Sequence, residues 1–349
     1  MELHQNKPLV SVCIPTYNNA RYIGRTIDSI VNQTYKNIEI IICDNASTDN
    51  TREIVHSYND KRIRYHRNPK TIHALSNWNL CIELANADFV AIYHSDDVYE
   101  PTIVEKELRL LKKNSNLGAV FCLDKIIDEN GILLKKGVNL PEKIRDKGIL
   151  NFKLLFTVLL EKNMSFLVAP TFMARKNIFT NVGLFNDTEK FGDSSGSAGD
   201  TEMWLRITQK YEIGIVKERL IRRRVSITQG SNIYQSKRFS RANHFIVLDS
   251  FLNSVREEID KSLLAQYEYN KFVDDLIIAK NLLRNGQHNK AKLFLISIFS
   301  YGRLMMSFKS FNNFQKTGLY IFLLFCSIMG ISGGIMGFFI NIKHKLLKC

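Results

Sequence analysis

Two adjacent carboxylates follow an apolar run in the stretch AIYHSDDVYEP, residues 91–101. The run ends at Tyr93, and Asp96 and Asp97 come directly after His94 and a serine. Neighbouring carboxylates at the end of a buried strand repel one another and lose hydration, so they need either a cation or a shared proton. The stretch therefore indicates a site for one of these, and by itself leaves open which.

Short β-branched runs alternate with helical patterns through the first half of the chain. The predicted strands are Leu9–Ile14, Ile38–Cys43, Ile63–His66, Phe89–Tyr93 and Ala119–Leu123, and the predicted helices lie at about 20–32, 49–58, 72–86 and 101–114. This alternation predicts an α/β fold with a mostly parallel central sheet flanked by helices. Ligands of such sheets bind beyond the carboxyl ends of the strands. Because PTYNN (15–19), DNASTDN (44–50) and SDD (95–97) all fall at strand ends, that edge is the candidate active site.

Fewer strands are predicted in the second half of the chain. The elements expected after the irregular stretch 131–165 are a strand near Leu167–Ala174, a helix over Thr201–Lys210, and strands at Ile213–Val216 and Leu220–Val225. From about 237 onward the pattern is helical. Residues 276–300 predict two amphipathic helices joined at Asn285-Gly286, with the glycine ending the first helix.

The net charge of +14 is concentrated late in the chain. Residues 271–349 carry eleven Lys or Arg against Asp274 and Asp275. Such a tail indicates an anionic partner, either a nucleic acid or a membrane surface. The segment Gly318–Ile340 has 23 residues without a charge, enough helix to cover the ~30 Å hydrocarbon core. Nucleic-acid binders have no use for such a segment, so membrane association is favoured and no nucleic acid is expected.

The expected location is the cytosolic side of a membrane. The six cysteines lack CxxC pairs, which favours reduced thiols over a disulfide framework or a zinc site. Gly330, Gly333, Gly334 and Gly337 break the apolar segment and favour a helical hairpin that dips partway into the membrane over a single span. A buried pair of core helices is less favoured, because 23 uncharged residues exceed ordinary core lengths.

Four stretches occur together and in order: VSVCIPTYNNARYIGRTIDSIVNQTYKNIEIIICDNASTDNT, NWNLCIELANADFVAIYHSDD, VGLFND (182–187) and GDTEMWLRI (199–207). With them, roughly residues 8–230 resemble the family 2 glycosyltransferases, inverting enzymes of GT-A (Rossmann-like) fold. The domains that follow are a GT-A catalytic domain 1–235, with a nucleotide-sugar-binding half 8–125 and an acceptor half 126–235, a helical region 236–310, and a hydrophobic, basic, membrane-associated tail 311–349.

The resemblance implies a site for a nucleoside-diphosphate sugar at the strand ends. The predicted nucleotide-sugar-binding residues are Pro15, Thr16, Tyr17, Asp44, Arg67, Asp96, Arg223 and Arg224. A tyrosine face can stack on a pyrimidine and a carboxylate can accept a ring N–H. The resemblance at Tyr17 and Asp44 implies a UDP-sugar as the favoured donor. The family often places a histidine where this chain has Val225.

Ser95-Asp96-Asp97 stands at the place of the family's DXD element, which implies a divalent cation rather than a proton. Asp97 is the predicted ligand of Mg²⁺ or Mn²⁺, and Asp96 holds the ribose or completes the metal site. His94 occupies a position where the family often has an acid, and it is the third candidate ligand. A solvated Asp-Asp turn is the alternative.

The stretch GDTEMWLR resembles the family pattern Glu-Asp-x-Asp-Leu-Trp-x-Arg, with Gly199 in place of the glutamate. Asp200 then corresponds to the general base, which removes a proton from the acceptor hydroxyl for attack on the anomeric carbon. A plain N-cap is the alternative role of Asp200, and Glu202 is the second candidate base. The chain lacks the Gln-x-x-Arg-Trp element of processive members, so one sugar per acceptor is expected.

These features predict a metal-dependent inverting glycosyltransferase at the cytoplasmic face of a bacterial inner membrane. The expected partners are a nucleoside-diphosphate sugar, a lipid-linked glycan acceptor and an anionic membrane surface, and homo-oligomers through the C-terminal region are left open. His94 and Val225 depart from the family and keep a non-catalytic nucleotide-sugar-binding scaffold as the alternative. A nucleotidyltransferase at the same sheet edge is a third reading.

Overall fold

The computed structural model of the chain describes residues 7–162, 166–187, 198–226, 238–298 and 311–329. Contacts between residues divide the chain into two units, Met1–Gln229 and Gly230–Cys349. The finer boundaries at residues 235 and 310 stay predictions.

The apolar runs of the first unit form one sheet, which has ten strands within the described residues. The strands are β1 Val10–Thr16, β2 Ile38–Asp44, β3 Ile63–Arg67, β4 Phe89–Ile92, β5 Val98–Tyr99, β6 Leu117–Ile127, β7 Leu133–Lys136, β8 Ile149–Leu150, β9 Phe172–Arg175 and β10 Glu212–Arg224. Every residue of β1 and β2 is buried. Such uninterrupted burial is expected of parallel strands with both faces covered.

The strand order is β3-β2-β1-β4-β9-β6-β10-β5, with β7 paired to β6 and β8 to β10. Strands β1 to β4 run parallel to one another, as do β6 and β10, whereas β5, β7, β8 and β9 pair antiparallel with their neighbours. The mostly parallel sheet predicted from the sequence is therefore confirmed. In register, Thr16 lies beside Asp44 and Asp44 beside Arg67, which brings the first strand ends to one edge.

Eight helices of the first unit lie among the described residues. They are α1 Ile23–Val31, α2 Thr51–His56, α3 Ala74–Leu84, α4 Ile103–Lys113, α5 Glu142–Arg145, α6 Phe152–Lys162, α7 Asn177–Val182 and α8 Gly199–Lys210. Helix α1 buries Ile23, Ile27 and Ile30, which recur at the helical spacing, against the apolar side chains of β1, β2 and β4. This packing fixes the loop between β1 and α1 over the carboxyl edge of the sheet.

Two predictions for the second half of the sheet were wrong in detail. The strands expected at 213–216 and 220–225 form the single strand β10, whose pairing with β6 shifts register around Arg219. An irregular strand of this kind has little sequence signature, because each half follows its own alternation. The strand expected at 167–174 starts as a 3₁₀ turn at Ala169–Thr171 and becomes extended only from Phe172, since Pro170 has no N–H for a sheet bond.

The second unit is helical wherever it is described. Its helices are α9 Asn243–Val255, α10 Lys261–Arg284, α11 His288–Ser297 and α12 Phe311–Met329, with a 3₁₀ turn at Arg256–Glu258. Helices α10 and α11 are joined at Asn285-Gly286, as predicted, and Gly286 has φ +71°, which glycine adopts without strain. Helices α10, α11 and α12 share one apolar cluster that includes Phe272, Leu283 and Leu323.

Two ion pairs, one of them buried, fasten the start of the second unit to α10. Arg238 pairs with Asp274, and both side chains are almost fully buried. Arg241 pairs with Asp275 at 2.9 Å. The two aspartates that reduce the charge of the tail are therefore internal partners of arginines.

Among the described helices, none combines the length and the apolar character that a membrane span requires. The predicted apolar segment enters the described residues from Gly318 to Met329, within α12. Its remainder, with Gly330, Gly333, Gly334 and Gly337, lies outside them, so the dipping hairpin stays a prediction.

Candidate active site

A pocket of about 400 Å³ lies where β1 and β4 end. Its lining residues are Pro15, Tyr17, Asn18, Asn19, Tyr22, Trp78, His94, Ser95, Asp96, Arg224 and Ser226. Residues of PTYNN and of the acidic loop thus meet Arg224 and Ser226 in one cavity, whereas no residue of DNASTDN lines it. The convergence of strand ends predicted for this edge is observed for PTYNN and SDD.

The acidic loop after β4 is held by the elements around it. The Oγ1 atom of Thr26 on α1 lies 2.9 Å from the Ser95 carbonyl and 2.7 Å from the Asp97 carbonyl. The Arg224 backbone N–H donates to Oδ1 of Asp97 at 2.7 Å. Asp97 is fixed inside the protein while Asp96 reaches the pocket wall. The loop geometry is therefore set before any ligand binds.

His94, Asp96 and Asp97 form a cluster that could hold a metal ion. One imidazole nitrogen and one oxygen from each carboxylate all lie within 4.8 Å of one another. Burial, and then the charge of Asp96, raises the pKa of Asp97 well above its ordinary value. A cation between the three side chains would offset both effects, because a nearby positive charge stabilises the ionised carboxylates.

The imidazole of His94 fits a ligand position. Burial lowers the pKa of His94, although the Asp96 carboxylate acts in the opposite direction, and the ring is therefore neutral at pH 7. Its Nε2 atom is enclosed and has no hydrogen-bond partner among the described residues. The ring packs against Trp78 with centroids 5.1 Å apart. A neutral, oriented imidazole with an unsatisfied nitrogen suits a divalent metal or a phosphate oxygen.

The loop that carries Tyr17 is bound to the loop after β2. Asn18 accepts the Thr48 N–H at Oδ1 over 2.7 Å, and its own N–H donates to Oγ of Ser47. Asn18 has φ +46°, a left-handed conformation that asparagine tolerates better than most residues. Tyr17 is 51% exposed at the pocket, so its ring face is available to a ligand.

The carboxylate of Asp49 bonds to two segments of the chain. Its Oδ1 accepts the Thr51 N–H and hydroxyl, while its Oδ2 accepts the Ala20 N–H at 2.9 Å. Although burial opposes the ionised form, these bonds lower the pKa of Asp49. The carboxylate thereby ties the β1–α1 loop to the start of α2.

Asp44 and Arg67 lie side by side but do not line the pocket. Asp44 is fully buried, accepts the Ser47 N–H at 2.8 Å on Oδ1, and receives the Tyr65 hydroxyl on Oδ2. Nε of Arg67 is 3.8 Å from the same carboxylate, and Nη2 donates to the Ser47 carbonyl. The neighbouring Oγ1 of Thr16 is enclosed and has no hydrogen-bond partner among the described residues. Their contact with a nucleobase or ribose stays a prediction.

The two arginines at the end of β10 have different surroundings. Arg224 is buried, donates from Nε to the Asp96 carbonyl at 2.9 Å, and stacks on Tyr22 at 4.4 Å while lining the pocket. Arg223 donates from Nε to Asp124 at 2.9 Å and remains about a third exposed. Arg224 thus shapes the acidic loop directly, and binding of phosphate by either arginine remains a prediction.

Asp200 and Glu202 both lie in the first turn of α8, but their carboxylates differ. Glu202 makes two bonds to Arg206, at 2.7 and 2.8 Å, and is buried. Asp200 accepts the Thr201 N–H and hydroxyl, and it is partly exposed. Burial raises the pKa of Asp200. The geometry favours Asp200 over Glu202 as a base, although neither residue lines the pocket.

Trp204 belongs to the core. Its ring packs with Phe121, Phe172 and Phe185 at centroid distances between 4.6 and 5.8 Å, and it is 1% exposed. This burial excludes a role of Trp204 as a platform for a sugar ring.

Comparison with known protein families identifies the first unit. The sequence model described as glycosyl transferase family 2 matches residues 11–183, from β1 through α7. The first unit therefore contains a glycosyl transferase family 2 domain. Residues 199–207, which also resemble the family pattern, lie beyond the matched segment.

Curated relatives agree with the family 2 assignment. The chondroitin synthase of Pasteurella multocida is 30% identical over 322 residues, which are 88% of this chain and 30% of that protein. The hyaluronan synthase of the same organism is 28% identical over 338 residues, 92% of this chain and 32% of that protein. The chain thus spans about a third of the length of these two relatives. An uncharacterized glycosyltransferase of Methanocaldococcus jannaschii is 29% identical and is covered over 72% of its length.

Solved structures share the fold of this family 2 chain. The crystal structure of S. aureus TarS 1–349 superposes with a TM-score of 0.52 at 16% identity, covering 86% of this chain and 91% of that one. A structure of the same protein in complex with UDP-GlcNAc gives a TM-score of 0.50 at 16% identity, covering 91% and 90%. At such identity the likeness concerns the fold alone, and it confirms the expected GT-A architecture.

Several pocket residues of this family 2 domain were not predicted from the sequence. They are Tyr22, Trp78 and Ser226, whereas Asn18, Asn19 and Ser95 lie within the predicted stretches PTYNN and SDD but had no predicted role of their own. Asn19 donates from Nδ2 to Oγ of Ser95 at 2.7 Å and so links the two loops of the pocket. Trp78 lies in the NWNL stretch on α3, a helix whose face toward the sheet end has no sequence marker. The only sequence signal for Trp78 was its place in the family-like stretch that ends at SDD, NWNLCIELANADFVAIYHSDD.

Proposed function

We propose that the chain is a metal-dependent inverting glycosyltransferase. It transfers one sugar from a nucleoside-diphosphate sugar, with UDP as the favoured nucleotide, to a hydroxyl of a lipid-linked or polysaccharide-precursor glycan. Membership of glycosyl transferase family 2 supports the reaction class. Relatives named chondroitin synthase and hyaluronan synthase support a glycan as the acceptor.

The observation that carries the proposal is the composition of the pocket wall. Asp96 and His94, which form a potential metal cluster with Asp97, share the cavity with the exposed face of Tyr17 and with Trp78. A sugar nucleotide has a diphosphate that needs a cation and planar or apolar faces that need aromatic partners. The cavity of about 400 Å³ offers both kinds of group over a short distance.

Mg²⁺ or Mn²⁺ would be held by His94, Asp96 and Asp97. Oxygen ligands suit both ions, and the imidazole favours Mn²⁺ over Mg²⁺. When bound, such a cation neutralises charge that develops on the departing nucleoside diphosphate. The Arg224 N–H and Thr26 keep the acidic loop in place, so the ligands need little rearrangement on binding.

Asp200 is proposed as the base that takes the proton of the acceptor hydroxyl. Its carboxylate is less engaged than that of Glu202 and stands at the start of a rigid helix. The raised pKa makes it a better proton acceptor than an ordinary aspartate once it is ionised. Attack on the face opposite the leaving nucleotide then inverts the anomeric carbon.

The C-terminal region is proposed to hold the enzyme at the cytoplasmic face of a bacterial inner membrane. Helix α12 presents Ile321, Phe325, Ile328 and Met329 with more than half of each side chain exposed. The positive charge of residues 271–349 supports an anionic membrane surface as the partner of this region. A homo-oligomer formed through α12 would instead cover these four exposed side chains.

Product analysis tests the proposed reaction against the nucleotidyltransferase reading. The protein is incubated with Mn²⁺, a panel of nucleoside-diphosphate sugars and bacterial glycolipid extract as acceptor source. We expect release of the nucleoside diphosphate, with UDP-sugars the best donors, and a glycoside of inverted anomeric configuration by NMR. Pyrophosphate release from a nucleoside triphosphate and a sugar 1-phosphate would contradict the proposal. Absence of turnover with every donor would instead support the scaffold reading.

A further inference from the structure

The hairpin formed by β6 and β7 exposes an apolar and basic surface on the catalytic unit. Ile132, Leu133 and Leu134 are 64%, 60% and 55% exposed. Lys135 and Lys136 follow directly and are exposed as well. We refer to residues 132–136 as the hairpin patch. Both faces of β7 are open, because consecutive residues point to opposite sides of a strand.

The hairpin patch is held rigidly. Oδ1 of Asp128 accepts the N–H groups of Asn130 and Ile132 at 2.9 and 2.8 Å, and the Asp128 N–H donates to the Ile132 carbonyl. Gly131 takes φ +93°, which closes the turn. Strand β7 pairs with β6 from Lys125 to Ile127. The apolar side chains are therefore kept in solvent by the backbone and cannot fold back onto the sheet at low cost.

The same hairpin is fastened to the rim of the pocket. Arg224 donates from Nη1 to the carbonyls of Asp128 and Glu129, at 2.8 and 3.0 Å. Ser226 donates its hydroxyl to Oε1 of Glu129, and Arg21 pairs with Oε2 at 3.1 Å. Arg224 and Ser226 also line the pocket. A surface bound through the hairpin patch would thus lie beside the mouth of the active site.

We propose that the hairpin patch docks on an anionic lipid bilayer. Three large apolar side chains next to lysines match an interface, where apolar groups enter the acyl boundary and ammonium groups meet anionic head groups. Residues 1–270, which include the hairpin patch, carry 37 Lys or Arg against 32 Asp or Glu, and this excess of positive charge acts in the same direction. A protein strand adding to β7 fits less well, because lysines on an edge strand oppose such pairing.

The inference rests on the proposed function in one respect. A glycan carried on a lipid would be presented from the bilayer that the hairpin patch touches, next to the pocket. Docking of the hairpin patch can be measured without an acceptor. Membrane docking and the proposed transfer reaction can therefore be refuted independently of each other.

Leu133→Trp in the full chain gives a local readout of docking. The emission of the added indole, after subtraction of the wild-type signal of Trp78 and Trp204, should shift to the blue with vesicles of equal parts phosphatidylcholine and phosphatidylglycerol. Brominated acyl chains should quench it. The matched control is Lys113→Trp at the exposed end of α4, whose emission should stay unchanged. An unshifted Leu133→Trp spectrum with these vesicles would overturn the proposal.

Loss variants separate the apolar and the charged parts of the patch. Leu133→Ser combined with Leu134→Ser should weaken vesicle binding by about tenfold or more in flotation. Lys135→Glu with Lys136→Glu should weaken it similarly at low salt, whereas Lys112→Glu with Lys113→Glu, the same charge change on α4, should have a smaller effect. Equal loss in both lysine pairs would show that only net charge matters and would overturn a dedicated patch.

Two further outcomes distinguish the causes of failure. A blue shift of Leu133→Trp without vesicles that grows with protein concentration would assign the hairpin patch to a second copy of the chain and refute the lipid as occupant. Hydrolysis of the sugar nucleotide should be the same in all patch variants. If the wild type lacks every transfer and hydrolysis activity while Leu133→Trp inserts, the proposed function fails and docking stands.

Discussion

Asp200→Asn should lower kcat by about 10²–10⁴-fold while the KM for the sugar nucleotide stays nearly constant. The amide keeps the shape and the hydrogen bond from the Thr201 N–H, so α8 should remain folded. It cannot accept the proton of the acceptor hydroxyl, and the loss therefore appears in the chemical step. Steady-state kinetics with saturating donor and acceptor measure the split between the two parameters.

The pH dependence of the wild type follows from the same residue. Burial raises the pKa of Asp200, so its ionised fraction falls at a higher pH than for an exposed aspartate, whose pKa is about 3.9. Because the base must be ionised, kcat/KM should decrease as the pH falls through the raised pKa. The residual activity of Asp200→Asn should lack this acid limb.

Two variants make the Asp200 result interpretable. Asp88→Asn, the same substitution at an exposed site, should leave kcat unchanged. Glu202→Gln should destabilise the fold, because it breaks the bonds to Arg206, but should retain most of the activity at low temperature. If Glu202→Gln is folded but inactive while Asp200→Asn remains active, Glu202 is the base and Asp200 is not.

Asp97→Asn should reduce transfer at least about 100-fold, because it removes one of the carboxylates that would hold the cation. The amide oxygen can still accept the Arg224 N–H, which preserves the loop. Loss of one of two adjacent acidic groups relieves their repulsion, so the metal-free variant should unfold at a temperature no lower than the wild type. The signal of free Mn²⁺ in electron paramagnetic resonance measures binding directly, in the presence of UDP.

The control for this prediction is Asp146→Asn, an exposed aspartate between α5 and β8. It should bind as much Mn²⁺ as the wild type. Full activity of the wild type in excess chelator, or Mn²⁺ binding by Asp97→Asn equal to that of the wild type, would contradict a catalytic metal ion bound by Asp97. Activity would then depend on Arg223, Arg224 and His94 alone for the diphosphate charge.

The location of the site could be predicted from strand ends. Thr16 ends β1, and Asp96 follows β4, the next strand in the sheet. Both apolar runs are fully buried and are followed by polar residues, so the existence and the direction of each strand are readable from the chain. The parallel arrangement then places the polar residues together without further information.

The neighbours of these residues could not be predicted in the same way. Arg224 reaches the acidic loop and the β6–β7 hairpin through contacts of more than 90 residues in sequence separation. Nothing local marks such partners, because an arginine in the run KERLIRRR looks like the solvated face of a strand. Asp124 in the middle of β6, which binds Arg223, was missed for the same reason. Long-range pairing of charges appears only once the sheet is assembled.

The structure gives a physical reason for His94, which stands where the family often has an acid. From the sequence it was an exception at an acidic position. In the structure its imidazole lies with both carboxylates, its pKa is lowered by burial, and Nε2 is enclosed without a hydrogen-bond partner among the described residues. Neutral imidazole can replace a carboxylate as a ligand while lowering the total negative charge of the site. That exchange should shift metal preference toward Mn²⁺.

The most direct test of the central claim, that this pocket binds a sugar nucleotide through a divalent cation, is thermal unfolding with a panel of nucleoside-diphosphate sugars. A ligand at about 100 times its dissociation constant stabilises the folded state by about 2.7 kcal/mol. We predict that at least one UDP-sugar raises the unfolding temperature of the wild type in Mn²⁺, and that chelator or Asp97→Asn abolishes the rise. No stabilisation by any sugar nucleotide, with or without Mn²⁺, would contradict the claim.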